Sequence, residues 1–86
     1  MVTIDLTGIR GSERISHPWW DVMRATFMRD GKVILAVRRT GKMLLDPPEE
    51  VVHFDDGSLY KFVGDGGSAS VWCTLIDASP QPPASD

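Results

Sequence analysis

Residues 27–37 read FMRDGKVILAV, and this stretch decides the fold expected for the chain. The Asp30-Gly31 pair lies between two apolar runs and favours a two-residue type I′ turn, because both central residues need a positive φ. The turn predicts a hairpin between a strand that ends at Arg29 and a second strand over residues 32–37. Since that second run is almost continuously apolar, it predicts a central strand covered on both sides.

A second hairpin is predicted around Asp55, Asp56 and Gly57. A two-residue loop would set Lys61 opposite Val52. A three-residue loop with Gly57 in the left-handed conformation instead gathers the large apolar side chains of both strands on one face. We therefore predict the three-residue loop. The side chains that it brings together are Val52, Phe54, Tyr60 and Phe62.

The other strands are predicted from alternation of apolar and polar residues and from turn residues. Residues 2–7 alternate as a strand with one buried face, and residues 10–16 read as a polar loop. Thr40-Gly41 offers a further tight turn into residues 42–45, and residues 70–76 form a final strand. In that last strand, one face is shared by Trp72, Thr74 and Ile76.

Residues 17–24 are compatible with a helix or with a strand. Ser16 would cap a helix with Pro18 in its first turn, and Trp19, Met23 and Phe27 have helical spacing. We predict a short helical turn that passes into the following strand. Five to seven short strands joined by tight turns then predict a mostly β fold, a small antiparallel barrel or sandwich. With the helix near 17–24 formed, the class becomes α+β.

The chain has 86 residues, which is the size of one domain. We expect a single β domain over residues 1–77 and a disordered, Pro-rich tail over residues 78–86. Cys73 is the only cysteine, so a reducing compartment is expected. No apolar run approaches the roughly 20 residues that cross a membrane, and residues 1–10 do not resemble a signal peptide. The predicted location is the cytoplasm.

Catalytic and metal-binding patterns are weak in this sequence. His17, His53 and Cys73 are the only easily activated groups, and their spacing indicates neither a Cys–His pair nor a zinc site. The acidic, glycine-bearing turns lack the full ladder of a calcium loop and the lysine of a phosphate loop. We therefore predict no enzyme activity, no metal and no cofactor.

Charge is divided along the chain although the net charge is only −3. Residues 1–45 carry eight basic and four acidic residues, whereas residues 46–86 carry one basic and eight acidic residues. The basic residues are densest between residues 24 and 42, which include the first predicted hairpin. This basic hairpin is one candidate for nucleic-acid binding. Its cations are Arg24, Arg29, Lys32, Arg38, Arg39 and Lys42.

The register of the basic hairpin argues against one binding stripe. With a two-residue turn, Arg24 pairs with Val37 and Met23 pairs with Arg38, so the cations fall on both faces. Nucleic-acid binding modules also tend to be basic, whereas this chain has a pI near 5.2. A charged strand edge that resists aggregation explains the cations equally well. The second half offers an acidic surface made of Asp46, Glu49, Glu50, Asp55 and Asp56.

The Trp19-Trp20 pair is the strongest candidate for a contact surface. Adjacent side chains point to opposite faces of a strand and diverge by about 100° on a helix, so one tryptophan should be at least half exposed. An exposed aromatic residue near arginines has the composition of an interface hot spot. The predicted partner-binding residues are Trp19, Trp20, Arg24, Arg38 and Arg39.

Together these patterns predict a non-enzymatic protein–protein interaction module. A small inhibitor or accessory protein, of the kind that phages and other mobile elements encode, is the first hypothesis. The alternatives are a small β-barrel that binds nucleic acid through the basic hairpin, and a structural subunit that self-associates through edge strands. No membrane partner is expected.

Overall fold

The structure, a computed structural model, describes residues 2–42, 47–66 and 69–78. It is mostly β, with strands in two sheets and one short helix. The three-stranded sheet has the order β1-β3-β4, and the five-stranded sheet has the order β2-β8-β7-β6-β5. The elements are β1 (Thr3–Asp5), β2 (Ser12–Ile15), α1 (Trp19–Met23), β3 (Thr26–Arg29), β4 (Lys32–Ile34), β5 (Ala36–Lys42), β6 (Glu49–Phe54), β7 (Leu59–Gly64) and β8 (Val71–Asp77).

The two sheets pack face to face over an aromatic core. The Phe27 ring of the small sheet lies 5.2 Å from the Phe54 ring and 5.4 Å from the Phe62 ring of the large sheet. Leu6 and Val22 are fully buried against this cluster. The mostly β prediction is confirmed, and the arrangement is sandwich-like, with the sheets not closed into a barrel.

Both predicted turns form, and each joins two antiparallel strands. Asp30 and Gly31 have φ values of 54° and 78°, and Arg29 lies opposite Lys32. In the second hairpin Gly57 has a φ of 89°. The register sets Val52 opposite Tyr60, so the four predicted apolar side chains share the buried face.

The predicted central strand over residues 32–37 is wrong. The run divides at Leu35 into β4, an edge of the small sheet, and β5, an edge of the large sheet. Leu35 makes this crossing because its amide donates to the Asp55 carboxylate (3.0 Å) and its carbonyl accepts the Asp55 amide (2.8 Å). Val33, Leu35 and Val37 are consequently 54%, 61% and 65% exposed.

The crossing also removes the expected pairing of the basic hairpin. Strand β5 pairs with β6, and Arg38 lies opposite His53, so neither the Arg24–Val37 pair nor the Met23–Arg38 pair forms. Thr40 and Gly41 continue β5 and do not make a turn. Residues 43–45, which were expected to follow that turn, lie outside the described residues.

The described residues form eight strands, and two further differences from the prediction concern β2 and β1. The predicted polar loop over residues 10–16 contains β2, which pairs with β8 and joins it through a 2.7 Å hydroxyl contact between Ser12 and Thr74. Strand β1 runs parallel to β3, because β2 and α1 form the crossover between them. The other pairings are antiparallel.

The short helix is confirmed at Trp19–Met23, and it ends shortly before β3. Its N-cap is Pro18, without a side-chain cap, so the predicted Ser16 cap is wrong. Within the described residues no helix is long and apolar enough to cross a membrane. Of the predicted tail, residues 79–86 lie outside the described residues.

Candidate partner-binding surface

Helix α1 turns its two tryptophans towards different surroundings. Trp19 is half-buried and packs against the core. Its ring lies beside Gly64, where an added Cβ would stand 3.6 Å from Cε3 of Trp19. Trp20 is 72% exposed. The expected division between a packed and an exposed tryptophan is therefore found, with Trp20 outside.

Arg39 joins this helix to strand β5. Its Nη2 atom lies 3.4 Å from the Met23 Sδ atom, and its Nε and Nη2 atoms donate to Glu50 Oε1 at 3.1 and 2.8 Å. Met23 and Arg24 follow Trp20 by three and four positions, so helical geometry makes them its neighbours. We call this group the tryptophan surface. It consists of Trp20, Met23, Arg24 and Arg39.

The predicted partner-binding set is thus only partly assembled. Trp20, Arg24 and Arg39 lie around α1, whereas Trp19 faces the core. Arg38 lies opposite His53, on the other face of β5 from Arg39, which lies opposite Val52. Met23 was not in the predicted set. It packs against the core, as its helical spacing relative to Trp19 indicated, and its Sδ atom also contacts Arg39, a contact of which the spacing gave no sign.

A second exposed surface lies along strand β5 and includes Arg39 of the tryptophan surface. Every residue in 35–41 is exposed, and no described strand pairs with the outer side of β5. We call residues 35–41 the β5 edge. The apolar sequence of residues 33–37 indicated burial, and only the crossing at Leu35 exposes it.

The six cations of the predicted nucleic-acid site do not form one stripe. Arg29 forms an ion pair with Asp56 at 3.3 Å and also donates to the Ala78 carbonyl at 3.1 Å. Arg39 is bound to the buried Glu50. Lys32 lies on β4 and Arg38 on β5, which belong to different sheets, and Arg24 lies at the end of α1. Lys42 ends β5.

The predicted acidic surface is likewise divided among structural contacts. Glu50 is 5% exposed and holds Arg39, and Glu49 forms an ion pair with Lys61 at 3.6 Å. Asp55 accepts the Leu35 amide. The Asp56 carboxylate binds Ser58 and Arg29. Asp46 lies outside the described residues.

The large sheet has an outer face with a third tryptophan. Trp72 is 38% exposed, and the Arg14 guanidinium lies 5.1 Å from the centre of its ring. Arg14 also contacts Asp65 at 3.6 Å. Trp72 is therefore held by its neighbours more firmly than Trp20.

Of the groups with catalytic potential, His53 lies opposite Arg38 of the β5 edge, whereas His17 and Cys73 lie elsewhere. Cys73 is fully buried, and burial raises the pKa of its thiol to about 12. Within residues 2–42, 47–66 and 69–78, no three His, Cys, Asp or Glu side chains are grouped to hold a metal ion. An open groove of about 340 Å³ between β1 and β2 is lined by Asp5, Glu13 and His17 among others.

Comparison with known proteins adds no further assignment. No family model, no curated protein and no solved structure matches this chain.

Proposed function

We propose that this chain is a protein-binding module whose tryptophan surface anchors a partner protein. The observation that carries the proposal is the 72% exposure of Trp20 on a helix that is fixed to the sandwich. Tryptophan and arginine are the residues most enriched among interface hot spots. The tryptophan surface also holds Met23, and methionine is enriched at interfaces together with aromatic residues and arginine.

The support beneath Trp20 favours binding without rearrangement. Val22 is fully buried and Trp19 packs against the core, so two residues of the same helix hold it on the sandwich. Arg39 contacts Met23 while Glu50 fixes its guanidinium. A preorganised side chain loses less conformational entropy when a partner binds. Met23 adds an adaptable apolar contact beside the indole.

The proposal is tested by comparing two tryptophan variants. Wild-type protein is immobilised, the partner is captured from a lysate of the organism that encodes the chain, and its affinity is measured by calorimetry after purification. Trp20→Ala should weaken binding by roughly thirtyfold or more, because a central aromatic anchor contributes about 2 kcal/mol or more.

Trp72→Ala is the matched control, since it removes an indole from the outer face of the large sheet. Its affinity for the partner should remain within about twofold of the wild-type value. Circular dichroism of both variants establishes that they are folded. Equal affinities of the wild type and Trp20→Ala for the partner would contradict the proposal.

A further inference from the structure

We infer that the β5 edge binds an extended acidic segment of the partner, which adds a sixth strand to the large sheet. This inference rests on the proposed function and specifies the chemistry of the partner. The backbone of the partner segment would pair with β5, and its carboxylates would face the cations around that edge.

The backbone of β5 has an outer side that no described strand pairs with. This strand has seven residues and pairs on one side with β6. In an antiparallel edge strand, alternate residues direct their N–H and C=O groups away from the sheet. Exposed edges of this length are usually shortened, covered or interrupted, because they pair readily with other strands. Here residues 35–41 are all exposed, and after a register shift between Ala36 and Arg38 the strand pairs regularly with β6 over residues 38–42.

The second argument is the apolar stripe that leads into this edge. Val33, Leu35 and Val37 occupy alternate positions, and each is more than half exposed. Alternate side chains of an added strand contact alternate side chains of the edge that receives it. Val33 lies on β4, before the crossing, so Leu35 and Val37 are the two residues of this stretch that provide an apolar contact at the start of the β5 edge.

The third argument is charge. Arg24, Lys32 and Arg38 have no carboxylate within ion-pair distance among the described residues. Of these cations, Arg38 lies on β5 itself, whereas Lys32 lies on β4 of the small sheet and Arg24 follows the last residue of α1. An acidic segment paired with β5 would bring carboxylates to Arg38, whereas a basic segment would be repelled by it.

Charge also argues against a second copy of this chain as the occupant. If two β5 edges paired with each other in an antiparallel manner, Arg38 and Arg39 of one copy would approach the same residues of the other. Like charges opposite each other destabilise a pair of strands. The occupant is therefore an acidic strand of another protein.

The test uses a defined peptide with alternating glutamate and valine, seven residues long and blocked at both ends. It is titrated into the full-length ¹⁵N-labelled chain, and amide shifts and hydrogen exchange are measured by NMR. Shifts and slowed exchange should be concentrated at residues 35–41. A lysine–valine peptide of the same length should bind roughly tenfold more weakly or not at all.

A third peptide tests the backbone pairing directly. It keeps the glutamates and carries N-methyl groups on alternate residues, which removes the donors of one edge. This peptide should lose binding to the same degree as the lysine peptide. If all three peptides bind equally, or if the acidic peptide shifts residues elsewhere, the inference is wrong.

Variants of exposed residues complete the test without disturbing the core. Val37→Glu and Arg38→Glu should each weaken binding of the acidic peptide by roughly tenfold. Ile76→Glu is the matched control, because Ile76 is 50% exposed on β8, the second strand from the opposite edge. It should leave the affinity for the peptide unchanged. Equal losses in all three variants would overturn the inference.

The outcome separates this inference from the proposed function. If Trp20→Ala abolishes capture of the native partner but the acidic peptide does not bind, the edge assignment fails and the anchor stands. If the acidic peptide binds at residues 35–41 while Trp20→Ala still holds the partner, the edge assignment stands and the anchor fails. Concentration-dependent dimerisation through residues 35–41 would overturn the choice of an acidic partner.

Discussion

Arg39 has a structural role that its sequence position did not reveal. It neutralises Glu50, which is 5% exposed, and its guanidinium also contacts Met23. Removal of one member of a buried ion pair leaves the other charge without compensation, which is strongly destabilising. Arg39 therefore couples the stability of the large sheet to the shape of the tryptophan surface. Arg38 and Trp20 are the better positions for binding tests because they are exposed and take no part in this ion pair.

Tyr60 presents the opposite situation, a buried polar group without compensation. Its ring is fully buried against Phe54, and its hydroxyl has no hydrogen-bond partner among the described residues. Burial raises the pKa of this phenol. We expect Tyr60→Phe to keep or increase the free energy of unfolding, by up to about 1–2 kcal/mol, since it removes an unpaired polar group.

Urea unfolding of Tyr60→Phe and wild type at pH 7 measures this difference. Tyr60→Leu is the companion variant, because it removes the hydroxyl together with aromatic volume. It should lose stability while Tyr60→Phe does not. A loss of more than about 1 kcal/mol in Tyr60→Phe would mean that the hydroxyl has a stabilising partner.

At the scale of elements, turns and crossings decide where each strand lies. The turn after β6 sets the register that buries the aromatic residues. Asp55 in that turn also accepts a hydrogen bond from the Leu35 amide, at the point where the chain leaves the small sheet. Gly41 lies so close to β6 that a Cβ there would stand 2.3 Å from the Glu49 carbonyl oxygen. The end of β5 is thus held against β6 while its outer side stays open.

Gly57→Ala tests the turn. Because Gly57 has a φ of 89°, a side chain there is strained, and the free energy of unfolding should fall by about 1 kcal/mol. Gly11→Ala is the control, since no atom lies within 4 Å of its added Cβ and its φ is not in the left-handed region. Its stability should stay within about 0.5 kcal/mol of wild type, as measured by urea unfolding. Equal losses in both variants would contradict this account of the turn.

At the scale of the whole molecule, an ion pair joins the two sheets. Arg29, at the end of β3, pairs at 3.3 Å with Asp56 in the turn of the large sheet, where the two side chains are 18% and 28% exposed. Burial by itself would raise the pKa of Asp56, but hydrogen bonds from Ser58 and Arg29 outweigh it and hold the pKa below its usual value. The sandwich is therefore held at this end by a group that titrates in acid.

The depressed pKa of Asp56 gives the sign of the pH dependence. The contribution of Asp56 to the free energy of unfolding is present above its pKa in the unfolded chain, about 3.9. It is lost as the pH falls through the lower pKa of the folded state. The free energy of unfolding should therefore decrease below about pH 4. Asp56→Asn should lessen this decrease, and its difference from wild type should be constant above about pH 5. Thermal unfolding from pH 2 to 7 measures the stability of both proteins. An identical dependence of stability on pH in the two proteins would exclude this role of Asp56.

The sequence by itself determined the class of fold, the two hairpins, the short helix and the exposure of one tryptophan. Each of these follows from local physics: positive φ at a few turn residues, alternation on strands, and the 100° between neighbours on a helix. These rules are independent of which strand lies alongside. The binding role of Trp20 remains a proposal that the same reasoning introduced.

Only the tertiary structure decided which strands are edges and which charges are paired. Residues 33–37 have the same apolar sequence whether they form a covered central strand or an open edge. The contact between Leu35 and Asp55, 20 positions apart, selects the edge. Glu50 resembles any surface carboxylate until Arg39 is placed beside it. Burial and ion pairing depend on neighbours distant in the chain, and local patterns carry no information about those neighbours.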